Sequence, residues 1–211
     1  MLKLYNRERS GNCYKARLML ALLGLEYEKI AVHREGKGRN QLPADFDKLN
    51  PLRQIPVLVD GERHFWGTIP ILVYLARRYG GESWLPSDAA GEAEVTQWLS
   101  LGQNEIFQGL GRARSMRAGR WHGYGTLDEA HAIAHVALRA LEGRLARNDW
   151  LALDRPTIAD VACYSYTVFA PEGGISLKAY PSVPMWLKRI EGLPGYLPIP
   201  PYDGAGGPPV E

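Results

Sequence analysis

The sequence predicts a two-domain protein in which an α/β domain is followed by an all-helical domain. Every strand candidate lies before residue 67, the composition changes at the stretch GGESWLPSDAAG (80–91), and only helical patterns follow it. These observations divide the chain into an α/β domain at 1–80, a linker at 81–88, a helical domain at 89–200 and a Pro/Gly-rich tail at 201–211.

The chain begins with a predicted strand–helix–strand unit. LKLY (2–5) and YEKIAVH (27–33) alternate apolar and polar residues, as strands do. Between them, residues 13–23 consist of good helix formers, and Gly24 supplies the stop. Such a unit places its two strands parallel in one sheet.

A short helix, a hairpin and a second helix complete the α/β domain in the predicted order β-α-β-α-β-β-α. PADFDKL (43–49) suits a short helix with proline in its first turn. In IPVLVDGERHFW (55–66), Asp60-Gly61 separates two apolar runs and favours an antiparallel hairpin with a type I′ turn. Thr68 is expected to cap the helix that follows.

The helical domain contains four predicted helices. They cover about residues 88–114, 127–148, 157–169 and 182–192. Thr126 with Glu129 has the spacing of a capping box. Thr157 with Asp160 has it too, and the Asp160 carboxylate is expected to reach back to the Thr157 N–H and to serve folding, not catalysis. Ser182 is expected to cap the last helix, and the tail is either a packed extension or disordered.

Composition excludes several classes of function. A net charge of +2 does not indicate a nucleic-acid partner. No apolar stretch is long enough to span a bilayer, and the N-terminus lacks the apolar core of a signal peptide, so no membrane association is expected. Two cysteines, Cys13 and Cys163, favour neither a disulfide framework nor a metal site. His131 and His135 are one helical turn apart without an acidic ligand, which favours a helix face over a metal site.

Four segments, in order along the chain, carry a resemblance to a known family. They are SGNCYKARLMLALLGLEYE (10–28), LNPLRQIPVLVDG (49–61), TIPILVYLARRY (68–79) and RPTIADVACYSY (155–166). They resemble segments of the cytosolic glutathione transferases, of the serine type and similar to the bacterial enzymes. The resemblance implies a thioredoxin-like N-terminal domain and a cytoplasmic homodimer without a metal. It also implies detoxification, in which the thiol of the substrate glutathione is conjugated to a small hydrophobic electrophile.

The same resemblance implies a role for Ser10, with Arg17 at the usual offset in the helix. A hydroxyl that donates a hydrogen bond to the glutathione sulfur, close to a helix N-terminus, stabilises the thiolate over the thiol. The alternative for Ser10 is a plain helix cap. Asn12 and Tyr5 are further candidate donors to the sulfur, and Cys13 is either a reactive thiol or a packed core residue.

Three segments are expected to bind glutathione. The resemblance implies a cis Ile55–Pro56 bond that turns the Ile55 backbone toward the tripeptide, with Gln54 beside it. Arg39, or else Arg34 or Lys37 of the same loop, could reach the glycyl carboxylate, the alternative being a solvated loop.

The third segment, at the start of the second predicted helix, departs from the family pattern. Free N–H groups at a helix N-terminus suit the γ-glutamyl carboxylate. The family usually has an acidic residue and a serine where this chain has Gly67 and Thr68. Loss of that carboxylate removes a charge-assisted bond of roughly 1.5–3 kcal/mol.

The second substrate is expected between the domains. The segment 112–125 offers Arg112, Arg114, Met116, Trp121 and Tyr124, and Tyr5 is a further candidate. Aromatic and sulfur groups suit an apolar electrophile and arginines suit an anionic one, the alternative being a solvated interhelical loop. Two other functions remain open. A thiol–disulfide oxidoreductase would depend on Cys13, and a non-catalytic binding or scaffold protein on the same fold would explain Gly67.

Overall fold

The computed structural model describes residues 1–35, 39–121, 123–202, 204 and 209–210, with the backbone alone at 34, 35, 39 and 40. Its strands are β1 Leu2–Asn6, β2 Tyr27–Ala31, β3 Arg34–Glu35, β4 Arg39–Asn40, β5 Val57–Asp60 and β6 Arg63–Trp66. The main sheet has the order β2-β1-β5-β6, and β3 and β4 form a separate hairpin. β1 and β2 run parallel whereas β5 is antiparallel to both β1 and β6, which confirms the predicted mixed sheet.

Two N-terminal predictions were too long. The second strand ends at Ala31 instead of residue 33, because the chain turns there into the β3–β4 hairpin. The helix expected over 43–49 is only a 3₁₀ turn at Phe46–Lys48. The turn cannot extend into a helix, because Asn50 precedes a proline and so avoids the α conformation. The Asn50 side chain instead accepts from Leu52 N and donates to Gln54 O.

The hairpin is present, but its turn differs from the predicted one. Asp60 pairs with Arg63, so Asp60 belongs to the strand and the loop consists of Gly61 and Glu62. Gly61 has φ 60°, and Glu62 is not among the residues with positive φ. A type I′ turn needs positive φ at both loop residues, whereas type II′ needs it only at the first. The turn is therefore of the type II′ kind.

Helix α1, Gly11–Leu22, is buried on almost every side. It starts two residues earlier than predicted, because Ser10 is the N-cap and its Oγ accepts a hydrogen bond from Cys13 N at 3.4 Å. It ends before Gly24, whose φ of 63° confirms the predicted stop. The sheet domain covers one side of the helix and the C-terminal half covers the other.

Helix α2, Thr68–Leu75, begins differently from the prediction. Gly67, with φ 83° and ψ 146°, occupies the N-cap position, and Thr68 is the first helical residue. Thr68 therefore does not cap the helix, because the chain enters it through Gly67 with a positive φ that glycine adopts readily, and Thr68 already has helical geometry. The Thr68 hydroxyl is buried and makes no hydrogen bond within the described part of the chain.

The first helix of the C-terminal half is interrupted. α3, Ala89–Gln103, is capped by Asp88 and ends at Asn104, whose ψ of −91° leaves the helical region. A π-helical turn at Phe107–Gly111 then leads into α4, Arg112–Arg117. The predicted continuous helix over 88–114 was wrong at this point. The restart brings Gly109 so close to the next helix that a Cβ there would lie 2.4 Å from Ala134 N.

Three helices complete the fold: α5 Leu127–Leu145, α6 Ile158–Val168 and α7 Ser182–Glu191. Both predicted capping boxes are present, at Thr126 and Thr157. Ser182 does not cap α7, because Pro181 precedes it with helical φ and ψ. The N–H and hydroxyl of Ser182 donate instead to the Glu142 carboxylate of α5.

Asp160 joins three segments in the buried interior. Its Oδ2 accepts from Thr157 N at 2.9 Å, as predicted for the box. Its Oδ1 accepts from Leu151 N at 3.1 Å and from Trp186 Nε1 at 2.9 Å. One carboxylate thus connects the start of α6 to α7 and to the loop before α6.

Residues 197 and 200, just before the tail, pack against the N-terminal half, and within the tail Val210 N donates to Pro171 O at 3.0 Å, which supports the packed extension of the two alternatives. Tyr14 of α1 donates to Leu197 O at 2.5 Å, and Arg9 Nη1 donates to Pro200 O at 2.6 Å. Across all of the described ranges, no helix combines the length and apolarity needed to cross a bilayer. Within the same ranges, no three His, Cys, Asp or Glu side chains converge into a potential metal site.

Candidate active site

A cleft of about 370 Å³ lies where the two halves meet, within the usual size range of small-molecule sites. Residues 7–11, between β1 and α1, line one part, and residues 111, 114, 115, 118 and 120, on and after α4, line another. Val32, His33, Tyr166 and Glu172 complete the lining. Ser10 is the predicted catalytic residue that reaches this cleft.

The Ser10 side chain has a donor to spare. Its Oγ accepts the capping hydrogen bond from Cys13 N, which uses a lone pair and leaves the hydroxyl proton. Ser10 is half-buried and borders the cleft at the positive end of α1. The hydroxyl can therefore donate to an anion bound in the cleft.

Cys13 lies behind Ser10 and outside the cleft lining. Its side chain is fully buried, and burial raises the pKa of the thiol, although a hydrogen bond with the Ser10 side chain acts in the opposite direction. Burial thus disfavours the thiolate that a reactive cysteine needs. A glutathione thiolate would attract the Ser10 proton more strongly than this neutral thiol, because charged acceptors form the stronger bonds.

Asn12 and Tyr5, the other candidate donors, also lie outside the cleft lining. Asn12 Oδ1 is buried without a hydrogen-bond partner in the described ranges. The Tyr5 ring packs edge-on against Phe46, with ring centroids 5.1 Å apart. Neither side chain contributes to the arrangement around Ser10.

Arg17 holds the loop that carries Ser10. It is 1% exposed, and its Nη1 donates to Asn6 Oδ1 at 3.0 Å while Nη2 donates to Glu8 O at 2.8 Å. Nη1 also lies 3.0 Å from the Glu8 carboxylate. These bonds tie α1 to the chain just before Ser10, so Arg17 positions the serine.

The residues predicted to bind glutathione gather at one end of the sheet. The Ile55–Pro56 bond is cis, as the resemblance implied. Val57 pairs with Tyr5 on one side and with Trp66 on the other. The register therefore brings the Ile55–Pro56 bond, the Gly67–Thr68 helix start and the loop before Ser10 to the same end of the sheet.

The other predicted glutathione ligands are less well defined by the structure. Gln54 is exposed and its carbonyl accepts from Asn50 Nδ2 at 2.8 Å. The side chains of Arg34 and Arg39 and the whole of Lys37 lie outside the described residues.

Apart from Arg114, the residues predicted to bind the second substrate lie outside the cleft lining. Arg112 Nη2 donates to Thr126 O and to Glu129 at the start of α5, and its guanidinium stacks on Trp121, 5.8 Å from the ring centroid. Met116 packs against the hydrophobic core. The structure does not bring these side chains together with Ser10.

The cleft uses another face of the same helical segment, of which only Arg114 was among the candidates from the sequence. Gly111, Arg114, Ser115 and Ala118 have the spacing i, i+3, i+4, i+7 of one helix face, and all four line the cleft. This spacing was visible in GRARSMRA, but nothing in the sequence tells which face turns inward.

The carboxylate of Glu172 lies between Arg9 and Arg114 in the cleft lining and links the two domains there. Glu172 accepts from Arg9 Nη2 at 2.7 Å and from Arg114 Nε at 2.6 Å, and the three side chains are between 11% and 14% exposed. Arg114 Nη1 also donates to Arg9 O at 3.1 Å. Arg114 stacks on Phe169, with its guanidinium carbon 3.9 Å from the ring centroid. This Glu172 clamp joins the loop before Ser10 to α4.

Lys15 is a buried cation behind the cleft wall. It is fully buried, its Nζ makes no hydrogen bond in the described structure, and it lies 4.8 Å from the ring centroid of Tyr166. Burial lowers the pKa of Lys15 to about 8, although nearby Cys163 acts in the opposite direction. The lowering from 10.5 to about 8 corresponds to about 3 kcal/mol of folding free energy.

We expect Lys15→Met to raise the free energy of unfolding at pH 7 by about 1–3 kcal/mol, because it removes an unpaired buried charge and fills the same space. Between about pH 8 and 10.5 the unfolded chain holds a proton that folded Lys15 releases, so wild-type stability rises with pH in this window. Urea unfolding at pH 7 and pH 10 should show that the advantage of the variant shrinks at the higher pH.

The matched control for this prediction is Lys29→Met, on an exposed strand residue paired with Glu8. We expect a change within about 0.5 kcal/mol at both pH values. A Lys15→Met protein that is less stable than wild type at pH 7 would show that the Tyr166 contact outweighs the cost of burial.

Comparison with known proteins agrees with this geometry. Residues 4–83 match the family model for the N-terminal domain of glutathione S-transferases, and residues 125–194 match the model for their C-terminal domain. Glutathione S-transferase 3 of Zea mays is 31% identical, over 95% of this chain and 96% of its own. Maleylacetoacetate isomerase of Pseudomonas aeruginosa is 30% identical, over 86% and 87%.

A solved structure of a similar protein has the same fold as this chain. The crystal structure of a possible glutathione S-transferase from Rhodopseudomonas palustris superposes with a TM-score of 0.83, at 34% identity over 94% of this chain and 97% of its own. The N-terminal domain is accordingly thioredoxin-like and the C-terminal domain is helical, as expected. The two family models together match more than half of the 211 residues. The chain belongs to the glutathione S-transferase family of enzymes.

Proposed function

We propose that this enzyme activates the glutathione thiol through a hydrogen bond from Ser10 and conjugates it to a small electrophile held in the cleft. The observation that supports the proposal is Ser10 itself, which borders the cleft, caps α1 and keeps its hydroxyl proton for a ligand. In this mechanism the thiol loses its proton to solvent, and the thiolate forms a C–S bond as the leaving group departs. Ser10 stabilises the thiolate and forms no covalent bond.

Glutathione would lie across this end of the sheet, next to Ser10. The Ile55 backbone can pair with the cysteinyl unit as an added strand. The buried, unpartnered Thr68 hydroxyl and the free N–H groups of α2 suit the γ-glutamyl carboxylate. Because Gly67 replaces the acidic residue usual in the family, the γ-glutamyl ammonium of glutathione has no carboxylate to pair with there. We therefore expect glutathione to bind more weakly than it would with a glutamate at position 67.

The test follows the ultraviolet absorbance of the glutathione thiolate against pH in the bound state. Free thiols have a pKa near ~8.5, and the wild-type complex should lie below it. Ser10→Ala should raise the bound thiol pKa by about one to two units and lower the conjugation rate at pH 6.5 by about 10- to 100-fold, because a bond to a charged group is lost. Ser10→Thr, which keeps both the cap and the donor, should retain most of the effect.

Cys13→Ala is the matched control, and it also separates the two other functions. The proposal expects this variant to keep the lowered thiol pKa. If Cys13→Ala abolishes activity while Ser10→Ala does not, the enzyme is a thiol–disulfide oxidoreductase, against which the burial of Cys13 argues. If calorimetric titration shows that the folded protein does not bind glutathione, the scaffold function takes its place.

The proposal extends to the assembly and location of the protein. We propose a cytoplasmic homodimer, as is typical of the family. Leu52 and Trp66, which are 59% and 42% exposed, offer apolar side chains to a partner subunit. The division into residues 1–80 and 89–200, with a linker at 81–88 and a tail from 201, stays a prediction.

A further inference from the structure

We propose that the buried ammonium of Lys15 stabilises the glutathione thiolate bound beside Ser10, as a fixed positive charge behind the cleft wall. The inference rests on the proposed transferase function and deepens it, because it adds a second source of thiolate stabilisation to the hydrogen bond from Ser10. Lys15 lies outside the cleft lining, so its charge acts through the protein interior.

The charge of Lys15 has no counterion among the described residues. The side chain is fully buried, and its Nζ takes part in no hydrogen bond or ion pair there. With a pKa of about 8, lowered by burial, Lys15 is still mostly protonated at pH 7. Burial raises the pKa of the Cys163 thiol, which donates to Trp98 O at 3.4 Å, and it raises the pKa of Tyr166 to about 12. These neighbours are therefore neutral, and the field of the cation is not cancelled locally.

The side chain of Lys15 runs toward the start of α1, where Ser10 lies. Side chains on an α-helix lean toward its N-terminus, and Lys15 follows Gly11 by one turn on the same face. Both residues meet the Tyr166 ring. The Lys15 Nζ lies 4.8 Å from the ring centroid, and a Cβ at Gly11 would lie 2.5 Å from the ring atom Cε1. These contacts place Nζ within about 10 Å of the Ser10 end of the helix.

Tyr166 separates this cation from the cleft. It lines the cleft together with Ser10 and Gly11, and it is 7% exposed. Because Lys15 is fully buried and Tyr166 nearly so, bulk water does not fill the space between Nζ and the cleft. At an effective dielectric constant of about 20, a unit charge about 10 Å away shifts a pKa by about one unit.

The start of α1 is already positive without Lys15. The N-terminal end of a helix carries a partial positive charge, and α1 has no acidic residue in its first turn to neutralise it. A buried cation close to this end disfavours folding of the free protein. An anion bound beside Ser10 is attracted by both charges, so the arrangement gives up stability in the free enzyme and stabilises the complex with the thiolate.

The first measurement is the pKa of the bound glutathione thiol, followed by the ultraviolet absorbance of the thiolate. Lys15→Met should raise this pKa by about one unit, because the stabilising charge is gone. Lys15→Gln, which is also neutral but packs differently, should give the same shift. The shift should persist between about 0.05 and 0.5 M NaCl, since salt screens a buried charge much less than an exposed one.

A binding measurement tests the dependence on ligand charge. Glutathione sulfonate carries a negative charge where the thiolate has one, whereas S-methylglutathione is neutral at that position. Lys15→Met should weaken calorimetric binding of the sulfonate about tenfold and that of the S-methyl compound by less than about threefold. Lys188→Met removes a charge from an exposed position of α7 outside the cleft and is the matched control, which should change neither.

The outcomes separate this inference from the transferase proposal. Equal losses for both analogues in Lys15→Met would assign Lys15 a packing role and overturn the inference. A thiol pKa that Ser10→Ala raises and both Lys15 variants leave unchanged would overturn it while the Ser10 mechanism stands. A thiol pKa that Ser10→Ala leaves unchanged, together with a selective loss of sulfonate binding in Lys15→Met, would contradict the Ser10 mechanism and support Lys15. If neither analogue binds to wild type, both proposals fail.

Discussion

Replacing Glu172 with glutamine is expected to lower the free energy of unfolding by about 3–5 kcal/mol. Glutamine keeps the size of the side chain but leaves Arg9 and Arg114 without the carboxylate they share at 2.7 and 2.6 Å. Both guanidiniums are nearly buried, with 14% and 11% exposed, so water cannot replace the lost charge. Urea unfolding at pH 7 measures the effect.

Glu28→Gln is the matched control for the Glu172 clamp. Glu28 pairs with Lys3 at 3.1 Å, but 46–49% of each side chain is exposed, so we expect less than about 1 kcal/mol. Adding Arg9→Met to Glu172→Gln should recover part of the loss, because one of the two cations that shared the carboxylate is then removed. If Glu172→Gln costs no more than Glu28→Gln, the clamp does not hold the domains together.

Asp160→Ala is expected to cost a similar amount, about 3–5 kcal/mol. The substitution leaves three buried donors, Thr157 N, Leu151 N and Trp186 Nε1, without their acceptor. Glu129→Ala removes the equivalent residue of the other capping box, where Glu129 is 61% exposed and solvent can replace it. We expect Glu129→Ala to cost about 0.5–2 kcal/mol, as the loss of an exposed cap does.

The Asp160 prediction also has a pH dependence. Burial raises the pKa of Asp160 to about 6, although its hydrogen bonds act in the opposite direction. Folded Asp160 therefore holds a proton that the unfolded chain releases between about pH 4 and 6, and its contribution to stability falls as pH rises through this window. Thermal unfolding should show a larger cost of Asp160→Ala at pH 4 than at pH 7. A cost that is equal at both pH values would mean that Asp160 stays ionised throughout.

Features set by neighbouring residues could be predicted from the sequence. The stop at Gly24, the hairpin and both capping boxes depend on local contacts and were present as expected. Caps that depend on the path of the incoming chain were not. Thr68 and Ser182 are suitable capping residues, but the chain enters α2 through Gly67 with φ 83° and enters α7 through Pro181 with helical φ and ψ, so both residues lie inside the first turn.

In the candidate site, too, features set by neighbouring residues could be predicted and features set by contacts between distant elements could not. The position of Ser10 at a helix start could be predicted from the residues next to it, and the structure places it at the N-cap of α1 beside the cleft, while its catalytic role, taken from the resemblance, stays a prediction. The sequence offered both Arg112 and Arg114 and could not show which of them reaches the cleft, because the two side chains lie on different faces of α4. The orientation of this face depends on contacts between elements distant in sequence, such as the close packing of Gly109 against Ala134 of α5, which no local pattern reveals.

The burial of α1 has a consequence for how the protein is made. Tyr14 finds its acceptor at Leu197, 183 residues later, and Arg9 finds Glu172 after 163. A ribosome that has released the whole sheet domain has therefore not yet made the residues that cover the outer side of this helix. We expect the nascent N-terminal half to expose an apolar helix until the chain beyond Leu197 has been made, which makes it a substrate for chaperones that bind such segments.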